Sequence, residues 1–136
     1  MTRNRILGGL AVAFGIMTLF SGGMVLFGPD DARDAAGAVV PLVLWFNFAS
    51  GFLYVAAGIG VFLAMPWGRL LAYVIAAALA VVMAAFVWHI LSGEAWEMRT
   101  LGALTLRLAF WVAVASLARI RPARDIALTG RLGSDR

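Results

Sequence analysis

The run LLAYVIAAALAVVMAAFVWHIL, residues 70–91, contains no Asp, Glu, Lys or Arg and is almost entirely apolar. A membrane-spanning helix needs about 20 such residues to cross a hydrocarbon core roughly 30 Å thick. Strands of a membrane barrel would instead alternate apolar and polar residues over short segments, and this run shows no such alternation. The stretch therefore predicts a transmembrane α-helix.

Three further apolar runs surround this stretch, and the composition of the chain agrees with them. Hydrophobic residues make up 63% of the 136 residues and charged residues 13%, whereas about a quarter of the residues of a soluble domain are charged. We expect an all-α fold, with a single four-helix membrane domain over residues 1–120 that forms an antiparallel up-and-down bundle. The spans are predicted at about 6–27, 39–65, 70–91 and 101–120, followed by a basic tail over 121–136. The first run is too long for the apolar part of a cleaved signal peptide.

Arginines are distributed unevenly between the two sides of this bundle. If both termini lie in the cytoplasm, eight arginines fall on the inner side, and only Arg33 and Arg99 fall on the outer side. Short loops rich in arginine and lysine stay in the cytoplasm, so we predict cytoplasmic N and C termini. The net charge of +4 then lies next to the membrane, where it attracts anionic lipid, and no nucleic-acid partner is expected.

Two connections follow from this orientation. The segment MPWGR, residues 65–69, is predicted to be a tight inner hairpin in which Pro66 and Gly68 break the helix. The segment GPDDARDAAGA, residues 28–38, is predicted to be an acidic outer loop.

Small residues recur on one face of each of the first two spans. In the first span Gly8, Gly15 and Gly22 repeat every seven residues. In the second span one stripe of helical period holds Asn47, Gly51, Tyr54 and Gly58. Small residues on one face allow transmembrane helices to approach closely, so both stripes predict helix–helix contacts.

Arg107 lies within the fourth span, roughly 9–11 Å below the outer face at about 1.5 Å per residue. An arginine inside a span costs several kcal/mol unless it reaches the interface or finds a partner. We expect it to pair with Glu97 or Glu94, and to lie on the indole of Trp111 one helical turn further on. Both a structural lock between helix and loop and a binding role are compatible with such an arginine.

Apart from Tyr73 near the inner edge, almost all polar side chains of the four spans fall in the outer half of the bundle, which predicts a pocket that faces the periplasm. The positive charge favours an anionic or carbonyl-bearing ligand, and the apolar walls favour an amphipathic one, such as a quinone head group or a lipid. The competing hypothesis is that these side chains bond to one another and leave no cavity. The candidate ligand-binding residues are Asn47, Ser50, Tyr54, His89, Glu94, Glu97, Arg107 and Trp111.

Several kinds of chemistry are disfavoured by the residues that are present. The chain has no cysteine and one histidine, His89, so thiolate chemistry is excluded and haem would need a second axial ligand from elsewhere. His89 with Glu94 and Glu97 is a poor set for a divalent metal. No catalytic residue, metal or other cofactor is predicted, and the absence of an acid within any span argues against a proton-coupled exporter.

The segment GFLYVAAGIGVFLAMPWGRLLAYVIA, residues 51–76, resembles the middle of DoxX-like membrane proteins. The resemblance lies in a glycine-rich second helix, a short basic hairpin and an alanine-rich third helix. It implies a small four-helix protein of the bacterial inner membrane and, as in some members, an association with quinone-linked redox chemistry. It carries over no catalytic residue.

Three functions stay open on these grounds. The first is a non-enzymatic binding or accessory component that takes a small ligand or a partner protein through the outer polar layer. The second is a small transporter or channel that works as a homo-oligomer, and the third is a quinone-linked redox protein. We expect the first, because intramembrane acids for the second and redox side chains for the third are missing from the sequence.

Overall fold

The computed structural model describes residues 2–120, and within this range the chain forms five helices and no strand. The helices are α1 (Thr2–Phe27), α2 (Asp30–Ala36), α3 (Pro41–Phe62), α4 (Pro66–Leu91) and α5 (Met98–Leu117). All but α2 are long and apolar enough to cross a membrane. The prediction of an all-α chain with four candidate spans is therefore confirmed. The predicted tail, residues 121–136, lies outside the described residues.

The helix boundaries differ from the prediction at the two connections. Pro66 and Gly68 do not break a helix, because α4 begins at Pro66 and includes Gly68. Proline is well tolerated at the first helical position, where its missing N–H would have had no partner. The chain instead reverses over residues 63–65. The acidic loop also contains a helix, α2, which the apolar pattern did not reveal.

The end of α3 explains why the chain turns where it does. Met65 donates its backbone N–H to Gly60 O at 2.9 Å, and Ala64 donates to Val61 O at 3.0 Å. This pair of bonds is the Schellman arrangement that ends many helices, and it places one residue in the left-handed conformation. That residue is Ala64, with φ of 55°, where glycine is the usual occupant.

We expect Ala64→Gly to stabilise the protein by up to about 1 kcal/mol. A left-handed alanine costs about 1–2 kcal/mol, which exceeds the roughly 0.8 kcal/mol lost with one buried methyl group. The free energy of unfolding in mixed detergent micelles measures the effect. Ala77→Gly, on the exposed face of α4, is the control and should destabilise by about 1 kcal/mol. A loss of stability in Ala64→Gly would contradict this interpretation of the turn.

The most extensive helix–helix contact is that of α1 with α3, and glycines make the approach possible. A Cβ atom at Gly8 would lie 2.6 Å from Gly58 O, and one at Gly15 would lie 3.0 Å from Gly51 O. The two small-residue stripes predicted from the sequence are thus in contact with each other. The buried face of α1 is Asn4, Gly8, Ala11, Gly15, Thr18 and Gly22.

Side-chain bonds define two ends of the bundle. At the end that we call the terminal end, the Asn4 amide forms hydrogen bonds with both the backbone N–H and the carbonyl of Arg119. This pair of bonds joins the start of α1 to the segment after α5. The opposite end, called the acidic end, holds α2 and residues 92–97. There Ala38 donates its N–H to Glu97 Oε1 at 3.0 Å, which joins the two connections.

Candidate functional site

A cavity of about 260 Å³ lies near the acidic end, between α1, α3 and α5. Its walls are mainly apolar, and its polar side chains come from all three helices. The lining residues are Thr18, Ser21, Gly22, Val25, Ala36, Val39, Val40, Val43, Leu44, Asn47, Arg99, Thr100, Ala103 and Arg107.

A cluster of aromatic rings packs together on the side of the cavity that faces the terminal end. Tyr54 and Trp111, both fully buried, lie one or two helical turns beyond the lining residues of α3 and α5. Their ring centroids are 4.9 Å apart. Phe14 of α1 stacks on Tyr54 at 6.0 Å and contacts Phe110 at 4.9 Å. These rings fill the bundle between α1, α3 and α5 beyond the cavity, although none of them lines it.

Four buried polar atoms have no hydrogen-bond partner within residues 2–120, two of them in the pocket and two in the aromatic cluster beyond it. They are Asn47 Oδ1, Tyr54 Oη, Arg107 Nε and Trp111 Nε1. Roughly nine in ten buried polar groups in proteins are hydrogen-bonded, and an unpaired one costs about 1–3 kcal/mol. Three of the four atoms carry a proton to donate. The region therefore has unused donors, concentrated on facing sides of α3 and α5.

Arg107 has surroundings that differ from those predicted. Its guanidinium carbon lies 5.9 Å from the centroid of the Phe14 ring, so its aromatic neighbour is on α1 and the predicted stacking on Trp111 is wrong. Its side chain is half-buried and lines the pocket. In the described part of the chain it forms no salt bridge with Glu97 or Glu94, so the predicted ion pair is also wrong.

Glu97 and Glu94 do not pair with Arg107, because one is hydrogen-bonded to another residue and the other is exposed. Glu97 immediately precedes α5 and accepts the backbone N–H of Ala38, next to Gly37 with its φ of 72°. Glu94 is exposed in the connection between α4 and α5. Glu97 thus holds the two connections together, and neither carboxylate reaches down into the bundle.

His89 and Glu94 line a separate pocket of about 460 Å³ between α3 and α4. His89 Nε2 lies 3.1 Å from Ala95 O, and a proton on Nε2 would donate to that carbonyl and fix the connection that follows α4. These two residues therefore share no cavity with Arg107. Ser50 lies elsewhere, on α3, where it is buried and its hydroxyl donates to Asn47 O at 3.0 Å.

The eight predicted site residues thus fall into distinct places. The structure brings Asn47 and Arg107 to one pocket, whereas Ser50, Tyr54 and Trp111 are buried in the bundle without lining it. His89, Glu94 and Glu97 lie outside it.

Four polar residues of the pocket were not among the predicted ones: Thr18, Ser21, Arg99 and Thr100. Arg99 was treated only as a loop charge. Its spacing of two helical turns from Arg107 was the signal that places both on one face of α5.

Comparisons with known proteins place no further constraint on this site. No family model, curated protein or solved structure matches the chain. Over residues 2–120 no three His, Asp or Glu side chains are grouped as metal ligands would be. Any interpretation of the pocket therefore depends on its own geometry and chemistry.

Proposed function

We propose that this protein is an integral membrane protein that binds an amphipathic ligand in the pocket between α1, α3 and α5, as a non-enzymatic binding or accessory component. The observation that carries the proposal is the pair of unpaired buried polar atoms in the wall of one pocket, Arg107 Nε and Asn47 Oδ1. The unpaired guanidinium donor favours a ligand head group that accepts hydrogen bonds, such as a carbonyl, carboxylate or phosphate.

The size and walls of the pocket support a ligand that is only partly enclosed. Sites that enclose a whole small molecule have about 300–1,000 Å³, and this pocket has about 260 Å³. A head group fits such a volume, whereas a long acyl or isoprenoid chain does not. The chain of the ligand would then extend into the bilayer.

The proposal includes the orientation of the bundle. An antiparallel up-and-down arrangement with both termini in the cytoplasm is supported by the contact of Asn4 with Arg119 and by the arginine asymmetry. In a bacterial inner membrane, this orientation turns the acidic end and the mouth of the pocket towards the periplasm. The buried, contacting rings of Tyr54 and Trp111 fill the bundle beyond the pocket, which favours a binding site over a pore through a single bundle.

Native mass spectrometry of the protein purified from its membrane in a neutral detergent tests the proposal. We expect wild-type protein to retain close to one amphiphile per chain. Arg107→Gln should retain at most about a tenth as much, because a hydrogen bond to a charged group is worth about 1.5–3 kcal/mol. Arg33→Gln is the matched control, since Arg33 is exposed at the same end and lies outside the pocket. Equal retention by wild type and Arg107→Gln would refute the proposed site.

A further inference from the structure

Two arginines line the pocket and no acid does. Arg99 and Arg107 both lie on the face of α5 that lines the pocket, with Ala103 between them. At about 1.5 Å per residue their Cα atoms are roughly 12 Å apart along the helix. Arg99 is exposed and stands at the mouth, while Arg107 is half-buried and stands deeper. The pocket therefore carries positive charge at two depths.

Neither charge is neutralised by the described part of the protein. Arg99 donates to the carbonyl of Ala35 at 3.3 Å, which is a contact with a dipole only, and Arg107 has Phe14 as its neighbour. The acid nearest to them in sequence, Glu97, is bonded to Ala38. The mouth also includes the first turn of α5, where the helix dipole is positive.

From this balance we infer that the ligand is an amphiphile with an anionic head group, which Arg99 and Arg107 bind together. The inference rests on the proposed function and narrows its ligand from any hydrogen-bond acceptor to an anion. A neutral carbonyl head group would accept from Arg107 and leave its charge uncompensated in a largely apolar pocket, with the Arg99 charge unused at the mouth. An anion compensates both, and charge-assisted hydrogen bonds are about twice as strong as neutral ones.

The path for the ligand's chain lies between α1 and α5. These helices are joined by the contact of Phe14 with Phe110, and at the terminal end Asn4 bonds to the segment that follows α5. Nearer the acidic end the pocket separates them, with Ser21 of α1 exposed along its edge. A head group held between the arginines can therefore leave its chain in the lipid beside the gap between α1 and α5.

The test compares lipids that share their chains and differ in head-group charge. Delipidated protein in a neutral maltoside detergent is titrated with dioleoyl phosphatidylglycerol, dioleoyl phosphatidylcholine, a neutral benzoquinone with a decyl chain, or inorganic phosphate alone. Native mass spectrometry counts what stays bound. Arg99→Gln and Arg107→Gln are compared with Arg33→Gln.

We expect wild type to favour phosphatidylglycerol over phosphatidylcholine and the benzoquinone by about tenfold or more. Each of Arg99→Gln and Arg107→Gln should reduce that preference, and Arg33→Gln should keep it. Wild type could instead retain a neutral amphiphile as well as phosphatidylglycerol and lose it only in Arg107→Gln. That result would overturn the anionic inference and leave the proposed function standing. If inorganic phosphate alone binds as strongly as the lipid does, the requirement for an amphiphile is overturned. Failure to retain any amphiphile would refute the proposed function itself.

Discussion

Gly8→Leu is expected to separate α1 from α3 and to destabilise the protein by about 3 kcal/mol, the upper end of the cost of overpacking. A Cβ atom at this position would lie 2.5 Å from the backbone nitrogen of Phe62 and 2.6 Å from Gly58 O. Both neighbours are backbone atoms, which cannot rotate away as a flexible side chain does. The helices must therefore move apart, and this movement weakens the contacts along the whole interface between α1 and α3.

Gly9→Leu is a matched control for this prediction. Gly9 is the next residue, it is exposed, and a Cβ there would meet no atom within 4 Å. This substitution should be neutral or slightly stabilising, because leucine favours helix more than glycine by up to about 1 kcal/mol. Unfolding in mixed micelles compares the two variants. Similar stabilities for Gly8→Leu and Gly9→Leu would show that α1 does not approach α3 through this face.

Trp111→Ala should cost about 3–5 kcal/mol, as removal of a large buried aromatic side chain does in well-packed cores. The indole is fully buried and contacts both Tyr54 and Phe110, so its loss leaves a large void in the core of the bundle. Trp88→Ala is the control, since Trp88 is 74% exposed on α4 and its removal leaves no buried void.

Trp111→Phe distinguishes the contribution of the side chain's volume to stability from that of its N–H group. Most of the ring volume stays, and the donor Nε1, which has no partner, is removed. We expect a far smaller cost than for the alanine variant, measured by the same unfolding assay. A cost equal to that of Trp111→Ala would indicate that Nε1 has a partner in the folded protein.

Much of the architecture was predictable because it depends on short-range sequence patterns. Apolar length alone located α1, α3, α4 and α5, and the spacing of Gly8 and Gly15 revealed the face that α1 buries. The turn before Pro66 was not predictable in the same way. It depends on Ala64 adopting a left-handed conformation, which the sequence marks with no glycine.

The candidate site was harder to predict because it depends on which helices are neighbours. Helical periodicity placed Asn47 and Arg107 at one depth and on inward faces, and the structure brings them to one pocket. It did not place α1 beside α5, so Phe14 was missed as the neighbour of Arg107. The partner of Glu97 was missed for a similar reason, since the geometry of Gly37 and Ala38 at the end of α2 decides it.

The absence of an ion pair changes what Arg107→Leu should do. If Glu97 depended on Arg107, the substitution would leave an uncompensated carboxylate and destabilise the protein by about 3–5 kcal/mol. Glu97 instead has its own hydrogen bond to Ala38. The arginine then contributes a contact with Phe14 worth about 0.5–2 kcal/mol, against the several kcal/mol that a charge within a span costs. Its presence is better explained by a ligand than by folding.

The thermal stability of delipidated Arg107→Leu, measured beside delipidated wild type with and without added dioleoyl phosphatidylglycerol, tests this explanation most directly. We predict that the variant is as stable as wild type or more stable without lipid, and that lipid raises the midpoint of wild type and not that of the variant. A variant that is several kcal/mol less stable without lipid, and that gains as much from lipid as wild type does, would contradict a ligand-binding role for Arg107.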